Sequence, residues 1–222
     1  MTVTAAVIDE TIAALRALAS SSVTVGARAI RADDEATLHP VEAAIVASAA
    51  AKRRREFASG RTLLRLLLGT NEPVTVLTSR APSLPAGVVA SLAHDDEVVI
   101  AAVSRDPSVR AIGIDLEPIG AVGADVADTV RRPEERHLDP TWVFVVKEAT
   151  YKAWSTGGGR FLSHADVTVR CTGSDPTDPA DASAGSFVAE VIGEHRSFIG
   201  GSARVGGRIV AIVVDTGQDG PR

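Results

Sequence analysis

The run Gly113-Ile114-Asp115-Leu116-Glu117 holds two carboxylates two positions apart. On a strand such neighbours share a face, so Asp115 and Glu117 point one way while Ile114 and Leu116 enter a core. Two adjacent carboxylates repel unless a cation or proton lies between them. Oxygen donors with no nearby His or Cys suit a hard cation, Mg²⁺ before Zn²⁺. An isolated pair of this kind is more often an acidic solvent face, so it decides little alone. In Lys147-Glu148-Ala149-Thr150-Tyr151-Lys152, Glu148 and Lys152 are four apart and share a helical face. The surrounding segment is apolar around most of its circumference, so this charged stripe implies a polar site rather than bulk water. Glu148 could complete a three-carboxylate cage with Asp115 and Glu117, and Lys152 could meet a phosphate.

Positive charge gathers earlier. Residues 52–65 hold six basic side chains and one acidic, in a chain whose net charge is −5. Arg53 and Arg61 are eight apart and Arg54 and Arg61 seven apart, so helical spacing alone does not choose which pair converges on a phosphate. Arginine forks suit phosphate oxygens. Ser91 and His94 close an alternating strand ahead of an acidic turn, Asp95-Asp96-Glu97. They would stand near the strand's mouth.

The elements that must carry these groups follow from periodicity. Residues 1–20 predict an amphipathic helix, and 41–68 one long helix or two, with Gly60 a possible break. Residues 71–87 carry three prolines and predict loop around a short strand, 74–78. Strands are predicted at 88–93, 98–104 and 111–117, with Ser104-Arg105-Asp106-Pro107-Ser108-Val109 a hinge between the last two. A helix is predicted over 141–154, capped by Thr141 and ended by Gly157-Gly158-Gly159. Strands follow at 165–170, 186–191 and 208–214, and the Asp/Pro/Ser/Ala-rich segment 171–186 reads as a mobile loop. Helices and strands do not alternate strictly, which favours an α+β class.

Composition sets the limits. The chain has 222 residues, 45% hydrophobic and 23% charged, enough for a substantial core and too apolar for a disordered chain. Its acidic balance argues against a general nucleic-acid-coating protein. One cysteine, Cys171, excludes an intramolecular disulfide and a multi-cysteine zinc site. The N-terminal stretch carries Asp9 and Glu10 and does not resemble a signal peptide, and no apolar run is long enough to span a bilayer. A cytoplasmic protein without membrane association is expected.

Taken in order, KRRREFASGR, SLAH, GIDLE and the K-E-x-x-x-K of FVVKEATYKAW resemble the Sfp-type 4′-phosphopantetheinyl transferases, over roughly residues 50–155. GGRFLSHADVTV and SARVGGRIVAIVV look like the closing strands of actinobacterial members. The resemblance implies an enzyme that moves the phosphopantetheine arm of coenzyme A onto a serine of an apo acyl or peptidyl carrier protein. Fatty acid, polyketide and non-ribosomal peptide synthases present such carriers. The other product is adenosine 3′,5′-bisphosphate. It implies Asp115, Glu117 and Glu148 as ligands of Mg²⁺ (with Mn²⁺ a possible substitute), and Asp115, Glu148 and Lys152 as the catalytic set. Glu148, or a base it positions, would take the serine proton, and Lys152 would stabilise the pyrophosphate. Arg53, Arg61 and His94 resemble the grip on the 3′-phosphate, with Ser91 close to the nucleotide and Lys147 a second substrate contact. The expected architecture is a monomer of two similar, pseudo-symmetric α+β halves, 1–105 and 106–222, with the site at their interface.

Two departures from the family's pattern stand out. A loop that usually carries a Lys or Arg before its prolines reads TSRAPSLPAG, leaving Arg80 as its candidate cation. The histidine is followed by Asp95, Asp96 and Glu97 rather than small or hydroxylated residues. Beside a phosphate site these should either turn outward or lower CoA affinity. They also leave room for an alternative, a non-catalytic relative that binds CoA or a carrier without transferring.

Overall fold

The computed structural model describes residues 3–77, 81–172 and 184–217. Thr4 opens α1 (Ala5–Leu18) by accepting the Val7 amide on its side chain. Leu15, with Ile8 and Ile12 beside it, packs into a core shared by both sheets of the molecule. Residues 24–29 show too weak a strand pattern to predict, yet form β1 (Thr24–Ala29). The central Gly26 allows a helix to press close, since a Cβ there would meet Leu63 Cδ1 and Leu67 Cδ2 at 3.1 Å. The predicted 41–68 helix is two, α2 (Pro40–Val46) and α3 (Ala51–Leu68), and the break is not at Gly60. It falls between them because α2 folds back until the buried Glu42 takes Arg65 of α3 at 2.6 Å and the Val74 amide at 2.8 Å. Gly69, left-handed at φ 62°, ends α3.

β2 (Val89–His94) and β3 (Val98–Ser104) complete a three-stranded antiparallel sheet in the order β1-β3-β2. β3 is buried on both faces: Val99, Ala101 and Val103 meet Leu63, Leu64 and Leu68 of α3, while Ile100 and Ala102 meet the α1 side. That explains its unbroken apolar run. The short strand expected at 74–78 is only one isolated bridge, Val76 to Pro82, in a segment whose prolines lack the amides a ladder needs. Thr78 and Arg80 lie outside the described residues.

The second sheet is antiparallel in the order β4-β8-β7-β6-β5, from β4 (Ala111–Pro118), β5 (Val167–Cys171), β6 (Gly185–Val191), β7 (Arg196–Val205) and β8 (Arg208–Asp215). β7 is another strand that periodicity misses, because its Gly200 and Gly201 interrupt the pattern. Gly200 makes room for Phe187, whose Cζ would lie 2.2 Å from a Cβ there. After a short α4 (Ala127–Val130), α5 (Pro140–Thr156) crosses this sheet. Its cap is Asp139, accepting the Trp142 amide at 2.9 Å, and not Thr141, whose hydroxyl accepts the Val122 amide instead. Most of the predicted 171–186 loop, residues 173–183, lies outside the described residues, while Cys171, Gly185 and Ser186 belong to strands. β2 runs alongside β4, and the buried Ser91 hydroxyl accepts the Ile114 amide at 3.2 Å. That contact brings the two sheets together at the motifs singled out above. No helix among the described residues is long and apolar enough to cross a membrane.

Candidate active site

A cleft of about 710 Å³ opens where α3, β2, β4 and α5 meet. Arg53, Arg61, Ser91, His94, Asp115 and Lys152, scattered over a hundred residues of sequence, all line it.

Its basic end is built on α3. Arg61 is only 4% exposed, its guanidinium 4.2 Å above the Phe57 ring, and its buried Nε has no hydrogen-bond partner. Burial, with the nearby Arg53 and Arg65 charges adding to it against Glu42, brings its pKa down to about 10. A buried guanidinium short of an acceptor is a site for an anion. Arg53 Nη1 lies 2.9 Å from His94 Nε2 and 3.4 Å from Glu56 Oε2. Burial pushes the His94 pKa down, with Arg53 opposing the charged form as well. The ring sets Nε2 against Arg53 and Nδ1 against the Asp95 carbonyl at 3.3 Å. The structure resolves the choice that spacing left open: Arg54 turns away to Glu35 at 2.9 Å, and Arg53 is the one that joins Arg61 at the cleft.

The acidic end is built on β4 and α5. Asp115 and Glu117 share a face as their spacing demands, with Ile114 and Leu116 in the core behind them. Asp115 Oδ1 accepts Lys152 Nζ at 2.6 Å, and its buried Oδ2 has no partner. Lys152 also donates to the Ile114 carbonyl at 3.0 Å. Burial, aided by the Glu148 charge and opposed by Lys152, raises the Asp115 pKa to about 6. Burial and the charges of Asp115 and Asp95 raise that of Glu117 to about 7. Glu117 and Glu148 lie outside the cleft wall and keep contact with solvent. For Glu148, burial alone would raise the carboxyl, but the His164 hydrogen bond and the Lys152 charge outweigh it and hold it below the ordinary range.

The three-carboxylate cage expected from sequence is not assembled. Among the described residues no group of three His, Cys, Asp or Glu side chains is close enough to hold a metal ion. Lys152 pairs with Asp115 at 2.6 Å and His164 with Glu148 at 3.2 Å, contacts that offset repulsion among the carboxylates. Asp115 and Glu117 nevertheless fit a hard dication. Both are oxygen donors, and one buried oxygen, Asp115 Oδ2, has no partner.

Lys147 is a correction. Expected as a substrate contact, it is 1% exposed and turned away from the cleft, with Nζ bound to Glu135 Oε2 at 2.7 Å, Val130 O at 3.0 Å and His164 O at 2.9 Å. Consecutive helical residues diverge by about 100°, so the face that carries Glu148 and Lys152 excludes it. Burial lowers its pKa, against the pull of Glu135. The acidic turn also departs from expectation. Asp95 turns inward, its carboxylate meeting Arg208 Nε at 2.5 Å and the Glu97 and Val98 amides at 2.7 Å. Glu97 takes Arg208 Nη2 at 2.9 Å, and only Asp96 faces outward, toward Lys52. Sequence reasoning registered the surplus of negative charge here but had no means to name Arg208, more than a hundred residues away. His164 and Glu56 escaped it too, His164 for want of a spacing that relates it to α5, and Glu56 although it stands three residues after Arg53 within the basic run.

Residues 41–104 match the family model for the 4′-phosphopantetheinyl transferase N-terminal domain. The 4′-phosphopantetheinyl transferase Npt of Nocardia iowensis is 35% identical, over 74% of this chain and 79% of that protein. This chain belongs to the Sfp-type 4′-phosphopantetheinyl transferase family. Two further members agree: Svp of Streptomyces mobaraensis is 36% identical over 72% of this chain and 68% of its own, and PptT of Mycobacterium tuberculosis 35% over 59% and 63%. Arg53, Arg61, Ser91 and His94 of this phosphopantetheinyl transferase fall inside the matched N-terminal-domain segment.

Proposed function

We propose that this phosphopantetheinyl transferase moves the 4′-phosphopantetheine arm of coenzyme A onto a serine of an apo acyl or peptidyl carrier protein, releasing adenosine 3′,5′-bisphosphate. The observation that carries the site assignment is one cleft with a partnerless buried guanidinium nitrogen, Arg61 Nε, at one end. A partnerless buried carboxylate oxygen, Asp115 Oδ2, stands at the other. CoA has the complementary layout, a 3′-phosphate at its nucleotide end and a pyrophosphate that brings a cation with it.

In this reading Arg61, Arg53 and His94 hold the 3′-phosphate, and Ser91 keeps β2 against β4 beneath the nucleotide. Arg80 is kept as a further cation for CoA. Lys152 bridges from Asp115 to the pyrophosphate and offsets charge on the leaving group. Asp115, Glu117 and Glu148 would hold Mg²⁺ or Mn²⁺. The bound ion would neutralise the pyrophosphate. The carrier approaches from the solvent side, where Glu148 accepts the serine proton. The serine oxygen then bonds to the β-phosphorus as the bond from that phosphorus to the bridging oxygen breaks.

The same reading takes residues 1–105 and 106–222 as two similar halves of a monomer that works in the cytoplasm. In its support, each contributes an antiparallel sheet crossed by one long helix, α3 or α5, and the N-terminal-domain match stops at Ser104. The alternative of a non-catalytic CoA or carrier binder rested on the acidic turn, whose Asp95 and Glu97 are engaged by Arg208.

Intact-protein mass spectrometry of apo carriers incubated with the enzyme, CoA and Mg²⁺ tests the proposal. A gain of one phosphopantetheine, absent with chelator and in Glu148→Ala, is the expected result. Arg61→Met should raise the CoA KM by about tenfold or more, as loss of a charged hydrogen-bond partner does. CoA binding with no transfer to any carrier would favour the binder instead.

A further inference from the structure

We propose that His164 is a positioning residue for Glu148: it holds the Glu148 carboxylate away from Lys152, on the solvent side where the carrier serine arrives. The inference rests on the transferase reading above.

Glu148 and Lys152 stand four apart on one helix, the spacing at which a glutamate and a lysine ordinarily pair. Such a pair would tie up both the group meant for the serine proton and the cation meant for the pyrophosphate. It does not form. Lys152 is drawn to Asp115 at 2.6 Å and to the Ile114 carbonyl at 3.0 Å, and Glu148 Oε1 accepts from His164 Nε2 at 3.2 Å. A carboxylate carries no proton, so the imidazole must be the donor at Nε2. With Oε1 engaged, Oε2 is the oxygen left for the serine proton.

A positioning donor has to be rigid, and His164 is fixed in three ways. Its carbonyl accepts the buried Lys147 ammonium at 2.9 Å, itself pinned by Glu135 at 2.7 Å. Its ring stands edge-on to Phe144, with centroids 5.3 Å apart at 64°. Its turn is closed by Asp166, which accepts the Ser163 amide at 2.7 Å and the Ser163 hydroxyl at 2.6 Å. Adjacent residues of α5 therefore act on one histidine, Lys147 gripping its backbone and Glu148 receiving its side chain. Without it, the glutamate side chain would regain rotamers that the reaction must then freeze, or fall back on Lys152.

The test is steady-state transfer to an apo carrier by the full chain, reading kcat and the CoA KM separately for wild type and three variants. His164→Phe keeps the contact with Phe144 and removes the donor; His164→Ala removes both; His164→Gln keeps an N–H at comparable reach. Phe and Ala should lower kcat by about 10- to 100-fold, the cost typical of losing a residue that orients an active-site ligand. The CoA KM should stay within about twofold, and Gln should return kcat to within about threefold of wild type. Wild-type kcat in His164→Phe would overturn the inference, as would a Gln variant no better than Phe, which would reduce the role to packing. A wild-type enzyme that loads no carrier would instead overturn the transferase reading, and this inference with it.

Discussion

Gly113 sits where β4 and α5 touch backbone to backbone. A Cβ placed there would lie 1.7 Å from the Ala149 carbonyl oxygen and 2.8 Å from the Ala153 amide nitrogen. Real Cβ atoms essentially never approach within 3.0 Å, and the obstacle is helix backbone, so α5 must retreat by more than an ångström. The pivot falls at Ala149, immediately after Glu148 and three residues before Lys152, whose ammonium is 2.6 Å from Asp115 on the opposing strand. Misplacing catalytic groups by about 1 Å costs about 10²-fold in rate, and overpacking costs about 1–3 kcal/mol. Gly113→Ala should therefore fold, melt several degrees lower, and transfer phosphopantetheine about 100-fold more slowly. Gly60→Ala is the matched control. A Cβ there meets Leu92 Cδ1 at an ordinary 3.5 Å, and an alanine in mid-helix should add about 0.5–1 kcal/mol of stability at unchanged activity. Carrier loading followed by intact mass, alongside thermal unfolding, reads both. A Gly113→Ala enzyme within threefold of wild type would refute the reasoning that backbone contact sets the site's geometry.

Other expectations follow from charge and burial. Asp115, raised to about 6 by burial, binds its proton more tightly folded than unfolded, so its contribution to stability declines as pH rises from the usual carboxyl range through 6. Asp115→Asn should accordingly be more stable than wild type to urea at pH 8, indistinguishable near pH 3, and inactive. Arg208→Ala removes the guanidinium from Asp95 and Glu97 and should cost about 3–5 kcal/mol in denaturant unfolding, whereas Asp96→Ala, at the exposed partner of Lys52, should cost almost nothing. Lys147→Met should destabilise by breaking its buried pair with Glu135 while leaving the CoA KM unchanged; a large rise in KM would restore Lys147 to the substrate site.

The face shared by Asp115 and Glu117 was legible because a strand repeats every two residues whatever surrounds it. The shared stripe of Glu148 and Lys152 was legible for the same reason at helical period. Pairings across elements were not. Arg53 and Arg54 are equivalent to helical geometry, and only the arrival of Glu35 beside Arg54 separates them. Lys147 was misread because adjacency in sequence suggests adjacency in space, while a helix turns neighbours apart. β1 and β7 were missed for a related cause: Gly26 and Gly200 stand there to admit a neighbouring side chain, and a pattern of intrinsic preferences records a glycine only as an interruption. The break after α2 has no breaker residue. It comes from Glu42 reaching Arg65, a demand of the tertiary fold.

The place of β8 in its sheet has a consequence for how the enzyme comes into being. The strand that carries Asp115 and Glu117 finds its sheet partner in β8, made about ninety residues later, and the same late segment supplies Arg208 to the turn beside His94. A chain emerging from the ribosome can thus build α3 against β1 and β3, and with them the basic end of the cleft, while β4 still waits for its neighbour. Such distant closures form slowly and nearly together. The anion grip can precede the acidic end by the time it takes to synthesise half the protein, and phosphopantetheine transfer begins only when β8 slides between β4 and β7.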